Sequence, residues 1–394
     1  MKNNLIDREA AAELLNLAQS FKAVVVIGPR QSGKTTLVRH LFHSKAYVNL
    51  ENPDIRLFAT EDPRGFLSNY PQGAILDEVQ RVPQLFSYLQ EILDNSSTPA
   101  LFILTGSNNL LLQESISQSL AGRVGYLQLL PLSIGEIGSL VISADKLIYQ
   151  GGYPAIYQQK IDPEKWYNNY IRTYVERDVR LIKNIGNLQT FERFLRLCAG
   201  RVGRLLNMSS LAVETGVDVK TISSWLSLLE VSFVIFRLQP HHQNFNKRIV
   251  KMPKLYFYDV GLAAALLGIE ESSQLQLHPF RGELFENLVI LEFLKLRLNG
   301  GKNPNLYFWR DNTGNEVDLL LEWGGKTPIA IEIKSGQTIN SSYFAGIELW
   351  NKISDTKGGY VVYGGEEEQK RSNSMNVVPL NRVNSIFKHK KSNN

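Results

Sequence analysis

Apolar residues recur at helical spacing through positions 1–20, and the amphipathic helix they predict lacks the continuous apolar core of an export signal. The pattern then changes to Ala23–Ile27, a β-branched run of strand length. The octapeptide GPRQSGKT follows, and helical spacing resumes over 36–42. Apolar runs at 73–76 and 100–104 read as two further buried strands. Helical spacing returns over 161–183. The segment SSLAVETGVDVKTISSWLSLLE then predicts helix, turn, helix, with Leu211, Ala212, Val217, Ile222, Leu226 and Leu229 inward and Gly216 at the turn. Strand patterns at 232–239 and 249–258, joined by HHQNFNKR, predict a wing. From Arg281 the order is a helix (GELFENLVILEFLKLRL), three strands (NLYFWRD, NEVDLLLEW, PIAIEIKSG), then a helix and a strand.

This order divides the 394 residues into three expected parts, 1–155, 156–270 and 271–394. Hydrophobic residues make up 43% and charged residues 21%, the balance of a globular chain. Every apolar run falls short of the roughly 18 residues of a membrane span, so no membrane partner is expected. Cys198 is the only cysteine, which excludes an intrachain disulfide and a cysteine-rich zinc site and suits a reducing cytoplasm. The six histidines show no metal-ligand spacing, and His241 and His242 fall in an expected loop. The net charge of +5 permits contact with nucleic acid without demonstrating it. Lys388, Lys390 and Lys391 read as a disordered end.

Strand, GPRQSGKT and helix, in that order, predict a phosphate-binding loop. Gly28 and Gly33 let successive backbone amides turn inward at the positive end of a helix. Lys34 then reaches the β and γ phosphates, and Thr35 offers a hydroxyl to a magnesium ion. Gly28, Pro29, Arg30, Gln31, Ser32, Gly33, Lys34, Thr35 and Thr36 are thus the candidate ATP-binding residues. The strand at 73–76 ends in Asp77 and Glu78. Acidic residues at the end of a buried strand are costly unless they meet a cation. Asp77 is the candidate magnesium holder, through the ion's hydration shell, and Glu78 the candidate base for the attacking water. After the strand at 100–104, TGSNN puts Thr105, Ser107 and Asn108 at the same sheet edge, where a polar group orients water or caps the next helix. Arg123, in a glycine-flanked turn, offers a guanidinium to a phosphate or to a surface ion pair.

GPRQSGKTTL, YVNLENP, AILDEVQ, ILTGSNNLLL, AGRVGYLQLLPLS and GGYP stand in the order and spacing of a known group. The chain resembles the prokaryotic AAA-type ATPases whose carboxyl half is a domain of unknown function. The resemblance covers nearly the whole chain, including YVERDV at 174–179. It implies ATP with Mg2+ as cofactors and Walker A and Walker B roles for Gly28, Gly33, Lys34, Thr35, Asp77 and Glu78. It further implies sensor roles for Ser107 and Asn108, and an arginine finger at Arg123, acting in its own subunit or across a homo-oligomer.

Lys247, Arg248, Lys251 and Lys254 lie along the expected wing, where they could meet DNA phosphates. The second helix of the pair is a poorer reader of bases. Its expected outward residues are Asp218, Lys220, Ser223, Ser224 and Ser227, with one positive charge among them, so a lid or packing module is the alternative. Cys198 and Trp225 are expected in the core. Farther on, Glu332 and Lys334 share one face of a strand whose other face carries Ile331 and Ile333. A turn at Gly324 and Gly325 folds Asp318 back beside them. Together they could hold a divalent ion and a water for phosphodiester hydrolysis, with Glu286 completing the shell and Glu283 competing for that role. Glu316 and Glu322 are read as bystanders. Asp, then Glu-x-Lys, in VDLLLEWGGKTPIAIEIK resembles the restriction-endonuclease-like PD-(D/E)xK fold. The expected class is therefore α/β: a P-loop AAA-type parallel sheet with flanking helices, a middle winged-helix unit and a carboxyl-terminal restriction-endonuclease-like domain. Two functions fit: an ATP-controlled enzyme acting on nucleic acid, or an ATP-gated interaction switch whose nuclease-like domain is inactive.

Overall fold

The computed structural model describes residues 5–107, 119–138, 143–175, 188–241 and 250–388. Helix α1 (Ala11–Ser20) leads into β1 (Ala23–Ile27), whose five residues are all buried, as a strand covered on both faces requires. Helix α2 (Lys34–Leu41) follows the glycine loop. Strands β2 (Ala46–Asn49), β3 (Ala74–Asp77), β4 (Phe102–Gly106) and β5 (Val124–Gln128) complete a sheet of order β2-β3-β4-β1-β5. All its pairings are parallel. The carboxyl ends of β1, β3 and β4 therefore share one edge, and β1 lies beside β4 rather than beside β3. This is the expected α/β P-loop sheet with flanking helices.

Over that edge lie α3 (Pro154–Gln158) and α4 (Pro163–Tyr170), the latter capped by the Asp162 carboxylate on the Lys165 amide at 3.1 Å. Of the expected helix at 161–183, the part beyond 175 lies outside the described residues, and so does most of YVERDV. Helix α5 (Leu188–Ala199) buries Cys198 and packs Phe191 and Phe194 against Trp225. Burial pushes the Cys198 thiol well up, which suits a core residue. Helices α6 (Met208–Thr215) and α7 (Val219–Val231) form the expected pair. Gly216 ends the first at φ 80°, and Asp218 caps the second through the Thr221 amide at 2.9 Å.

The expected wing takes a different place. Strand β6 (Ile235–Pro240) begins later than the apolar pattern suggests, because α7 runs to Val231 and Phe233 turns at φ 56°. It pairs with β7 (Lys254–Phe257) and, through Gln239 and Pro240, with the next sheet. Helix α8 (Val260–Leu266) and the 19-residue helix α9 (Arg281–Asn299) follow. Then come β8 (Leu306–Arg310), β9 (Glu316–Trp323), β10 (Lys326–Lys334), α10 (Ala345–Ser354), β11 (Gly359–Tyr363), β12 (Gln369–Lys370) and β13 (Met375–Pro379). The sheet runs β12-β13-β11-β10-β9-β8-β6-β7, so the hairpin extends it instead of standing free. Lys254 is buried as a result, which corrects its expected place on a phosphate-facing surface. Lys247 and Arg248 lie outside the described residues. Among the described residues no helix is long and apolar enough to cross a membrane.

Candidate functional site

At the carboxyl edge of the parallel sheet, Gly28 holds φ 152°, and a Cβ there would stand 2.0 Å from the Leu129 carbonyl oxygen. No other residue fits that approach. Gly33, at φ 93°, opens α2. Between them the Ser32 hydroxyl is buried without a hydrogen-bond partner. Such an orphan group is costly in a folded chain, and a loop built to receive anionic oxygens accounts for it. Lys34 folds over the loop and donates to the carbonyls of Gly28 at 2.9 Å and Pro29 at 2.7 Å. Burial lowers its pKa from 10.5 to about 8, against the opposing pull of Glu78 and Asp77.

The Thr35 hydroxyl donates to Asp77 at 3.0 Å, Tyr47 donates to the same carboxylate at 2.7 Å, and Thr105 does so too. Hydroxyl and carboxylate oxygens side by side suit a hard divalent cation. Glu78 follows with φ 56° and ψ 43°, a left-handed conformation that costs a non-glycine residue about 1–3 kcal/mol. It turns the carboxylate off the strand direction into the cleft. The Ser107 hydroxyl donates to Glu78 at 3.0 Å, so this serine orients the candidate base, a contact that neither of its expected roles, orienting water or capping the next helix, included. Asn108 lies outside the described residues.

Gly33, Lys34, Thr35 and Glu78 line a cleft of about 930 Å3 that also takes in Arg30, Gln31 and the exposed Thr36. Ile6, Pro154, Ile161, Trp166 and Tyr170 form its apolar wall. The wall is anchored by Asp259, a buried carboxylate that accepts from the Gly152 amide at 2.7 Å and the Tyr167 hydroxyl at 2.5 Å while capping α8.

Arg123 falls elsewhere. Its carbonyl accepts from the Ala23 amide, which puts it at the edge where β1 begins, the far side of the sheet from Gly28. A five-residue strand, about 16 Å, separates the two edges. The guanidinium pairs with Asp94 at 2.5 and 3.0 Å. An arginine finger within its own subunit is thereby corrected, while the reading across an interface is untouched.

The sequence did not announce Arg8. It donates to the Ser32 carbonyl at 2.7 Å, the Leu130 carbonyl at 2.6 Å and the Glu136 carboxylate at 3.0 Å, bracing the phosphate loop from the wall of the same cleft. Glu136 belongs to a capping box with Ser133. The same stretch is gripped from α9, where buried Glu292 accepts from the Ile134 amide at 2.8 Å and Lys295 donates to the Leu132 carbonyl at 2.7 Å. A charged pair three residues apart in the otherwise apolar stretch 288–296 was the available signal.

The second candidate cluster sits about 9 Å back along α9. Glu286, rather than Glu283, points into it, because Glu283 is turned to Arg204 at 2.9 Å. Gly324 and Gly325, both at positive φ, make the expected turn between β9 and β10. The antiparallel pairing of Ile331 with Leu319 brings Glu332 level with Asp318. Lys334 bridges the two, 3.2 Å from Asp318 and 2.6 Å from Glu332. Lys254 bridges Glu286, at 2.9 Å, and Glu316. Glu316 is therefore no bystander, which its position two residues before Asp318 on one strand face could have told. Glu322, by contrast, pairs with His241 at 3.2 Å.

Burial pushes the Glu332 carboxyl up to about 8 and Glu286 to about 7, with Asp318 adding to both and the lysines opposing. Burial alone would lower Lys334, but Asp318 and Glu332 outweigh it. Among the described residues no three acidic, histidine or cysteine groups converge to hold a metal. The carboxylates are paired instead through two ammonium groups, Lys334 and Lys254, while the buried Glu332 Oε2 has no hydrogen-bond partner.

Residues 20–138 match the AAA domain, 142–273 a domain of unknown function (DUF8612) and 281–383 another (DUF4143). Uncharacterized proteins of Mycobacterium tuberculosis and Mycobacterium bovis are each 32% identical over 382 residues, covering 95% of this chain and 84% of theirs. Among solved structures, a Walker-type ATPase of Pyrococcus abyssi aligns at TM-score 0.46 and 15% identity, over 67% of this chain and 97% of that one.

Proposed function

We propose that the ATPase of this chain, which belongs to one family with the two mycobacterial proteins and carries an AAA domain over residues 20–138, works as a switch read by the carboxyl-terminal domain. Gly28 to Thr36 cradle the triphosphate, with Lys34 leaving its two carbonyls for the β and γ phosphates. Thr35 and Asp77 would hold Mg2+, whose charge offsets that of the phosphate oxygens. Glu78 takes the proton of the attacking water, and Ser107 keeps that carboxylate aimed. Pro154, Trp166 and Tyr170 offer an apolar wall for the base.

One observation carries the switch: a run of hydrogen bonds from the phosphate loop to α9, bridged at residues 132–134 by the main chain. Arg8 ties Ser32 to Glu136, the capping box continues to Ile134, and Glu292 and Lys295 clasp residues 132 and 134. A phosphate that reshapes the loop changes what Arg8 holds, and α9 carries Glu286 at its other end. The test is hydrogen exchange across 281–299 with and without a non-hydrolysable ATP analogue. Slowed exchange in the wild type that is absent in Lys34→Ala supports the switch. Identical exchange in both states removes it.

A second reading, an ATP-controlled enzyme acting on nucleic acid, is favoured by the juxtaposition of Asp318, Glu332 and Lys334 on one sheet face. The order of elements from α9 to β11 also agrees with a restriction-endonuclease-like fold. Incubating wild type and Asp318→Ala with single-stranded, duplex and branched DNA, with and without ATP, tests it. Cleavage by the wild type alone is its required result. Arg123 reaching a neighbouring copy would make the active ATPase a homo-oligomer.

A further inference from the structure

We propose that Lys254 is a built-in counter-ion that occupies the position a divalent cation would take in the carboxyl-terminal cluster. The inference deepens the switch reading, in which that domain needs no metal chemistry. Four carboxylates, Glu286, Glu316, Asp318 and Glu332, come from one helix and two strands, are buried or half-buried, and stand in two pairs, each linked by an ammonium group. Carboxylates gathered in this way require compensating positive charge. Here it comes from the chain itself. Lys334 stands between Asp318 and Glu332, Lys254 between Glu286 and Glu316, and Arg310 closes on Glu316 at 2.8 Å from outside.

Lys254 is the unusual member. It comes from the hairpin before α9, and it reaches the cluster only because β6 docks on β8 and carries β7 with it. Its side chain is 4% exposed, with the Phe308 ring 5.6 Å from the ammonium. Tyr256, two residues along the same strand, donates to Glu286 and uses another of its lone pairs. An ion replacing the ammonium would touch the same Glu286 and Glu316 oxygens. While Lys254 is there, that position is filled, and Lys254, Lys334 and Arg310 set three positive charges against the four carboxyl groups.

The test is Mn2+ binding without nucleotide, by calorimetry and by the electron-spin signal of free Mn2+, in the full-length protein. Wild type is expected to bind no Mn2+ at this cluster, and its thermal midpoint should be the same in Mn2+ and in chelator. Lys254→Gln should be destabilised in chelator, recover in Mn2+, and bind one Mn2+ ion beyond any that wild type binds. A wild-type Mn2+ ion lost in Asp318→Asn but kept in Asp77→Asn would overturn the proposal. So would a folded Lys254→Gln that gains no ion. Should Lys254→Gln not fold, the wild-type titration with its two Asp→Asn controls decides alone. The switch reading is tested separately through Lys34 and ATP, so either can fail without the other.

Discussion

Removing the Glu292 carboxylate tests whether α9 is held to the ATPase by charge and whether it carries the nucleotide signal. Glu292 is fully buried and accepts from Lys295 at 3.0 Å and from the Ile134 amide at 2.8 Å. Burial pushes its carboxyl up and Lys295 pulls it back. In Glu292→Ala the Lys295 ammonium, itself 4% exposed, keeps only the Leu132 carbonyl. An uncompensated buried charge of this kind costs about 3–5 kcal/mol. Replacing both partners, as Glu292→Leu with Lys295→Met, removes the stranded charge; the Ile134 amide is unpaired in both variants, and the double adds only the Leu132 carbonyl, at about 1–3 kcal/mol. The double variant should therefore be more stable than the single one by about 2 kcal/mol in urea denaturation. Stability and signalling should then separate. The double variant should fold and hydrolyse ATP, yet exchange across 281–299 should no longer respond to the nucleotide. A double variant as unstable as the single would refute the charge argument, and full ATP-dependent protection in a stable double variant would refute α9 as the conduit.

Glu78→Gln should bind ATP as wild type does while turnover falls about 10²–10⁴-fold, and an unchanged rate in a phosphate-release assay would exclude Glu78 as the base. Because burial holds the free enzyme's Lys34 at about 8, phosphates that favour its charged form should make ATP binding near pH 8 take up a proton. Calorimetry in buffers of different ionisation enthalpy reads this uptake, and Lys34→Met should abolish it. Arg123→Ala should leave turnover unchanged in dilute monomer, since Arg123 and Gly28 lie at opposite sheet edges. A loss that appears only at concentrations where the protein self-associates would place Arg123 in a neighbour's site. Glu332, raised from 4.5 to about 8 in the folded chain, binds more protons folded than unfolded between those values, so stability should fall as pH rises through that window. Glu332→Gln should flatten the slope in pH-dependent thermal melts.

The phosphate loop was legible because its chemistry is local. Two glycines at fixed spacing, a lysine and a threonine determine the backbone path and the ligand together, with Ala23–Ile27 before them and α2 after. Asp77 and Glu78 were legible for the same reason, as the end of a buried strand. Arg8 was not, because its partners Leu130 and Glu136 are more than 120 positions away and only sheet topology brings them near. Lys254 was misread for a related reason. Period-two patterning tells which face of a strand a residue takes, but not what that face meets, and here the answer depends on Gln239 pairing with Tyr307. Arg123 was recoverable in principle. It immediately precedes a strand, and in an all-parallel sheet that puts it at the amino edge.

The two clusters differ in what they lack, and this difference orders their roles. In the nucleotide cleft the Ser32 hydroxyl has no partner, the Lys34 ammonium rests on carbonyls of its own loop, and Glu78 is held in a costly conformation. Those are groups whose bonding improves when a triphosphate arrives, so the cleft gains free energy from its ligand. In the carboxyl-terminal cluster each pair of carboxylates already has an ammonium between them. A small cation would find the buried Glu332 Oε2 without a partner there, one group against the several that wait in the nucleotide cleft. Free energy can therefore enter at the phosphate loop and be spent on rearranging α9, whose Glu286 would have to break from Lys254 and Tyr256 for the second cluster to change. Because Lys254 and Tyr256 both come from β7, the hairpin and α9 must move together or one must leave a buried charge behind. That constraint makes the two-position rearrangement of a switch more favourable than gradual drift.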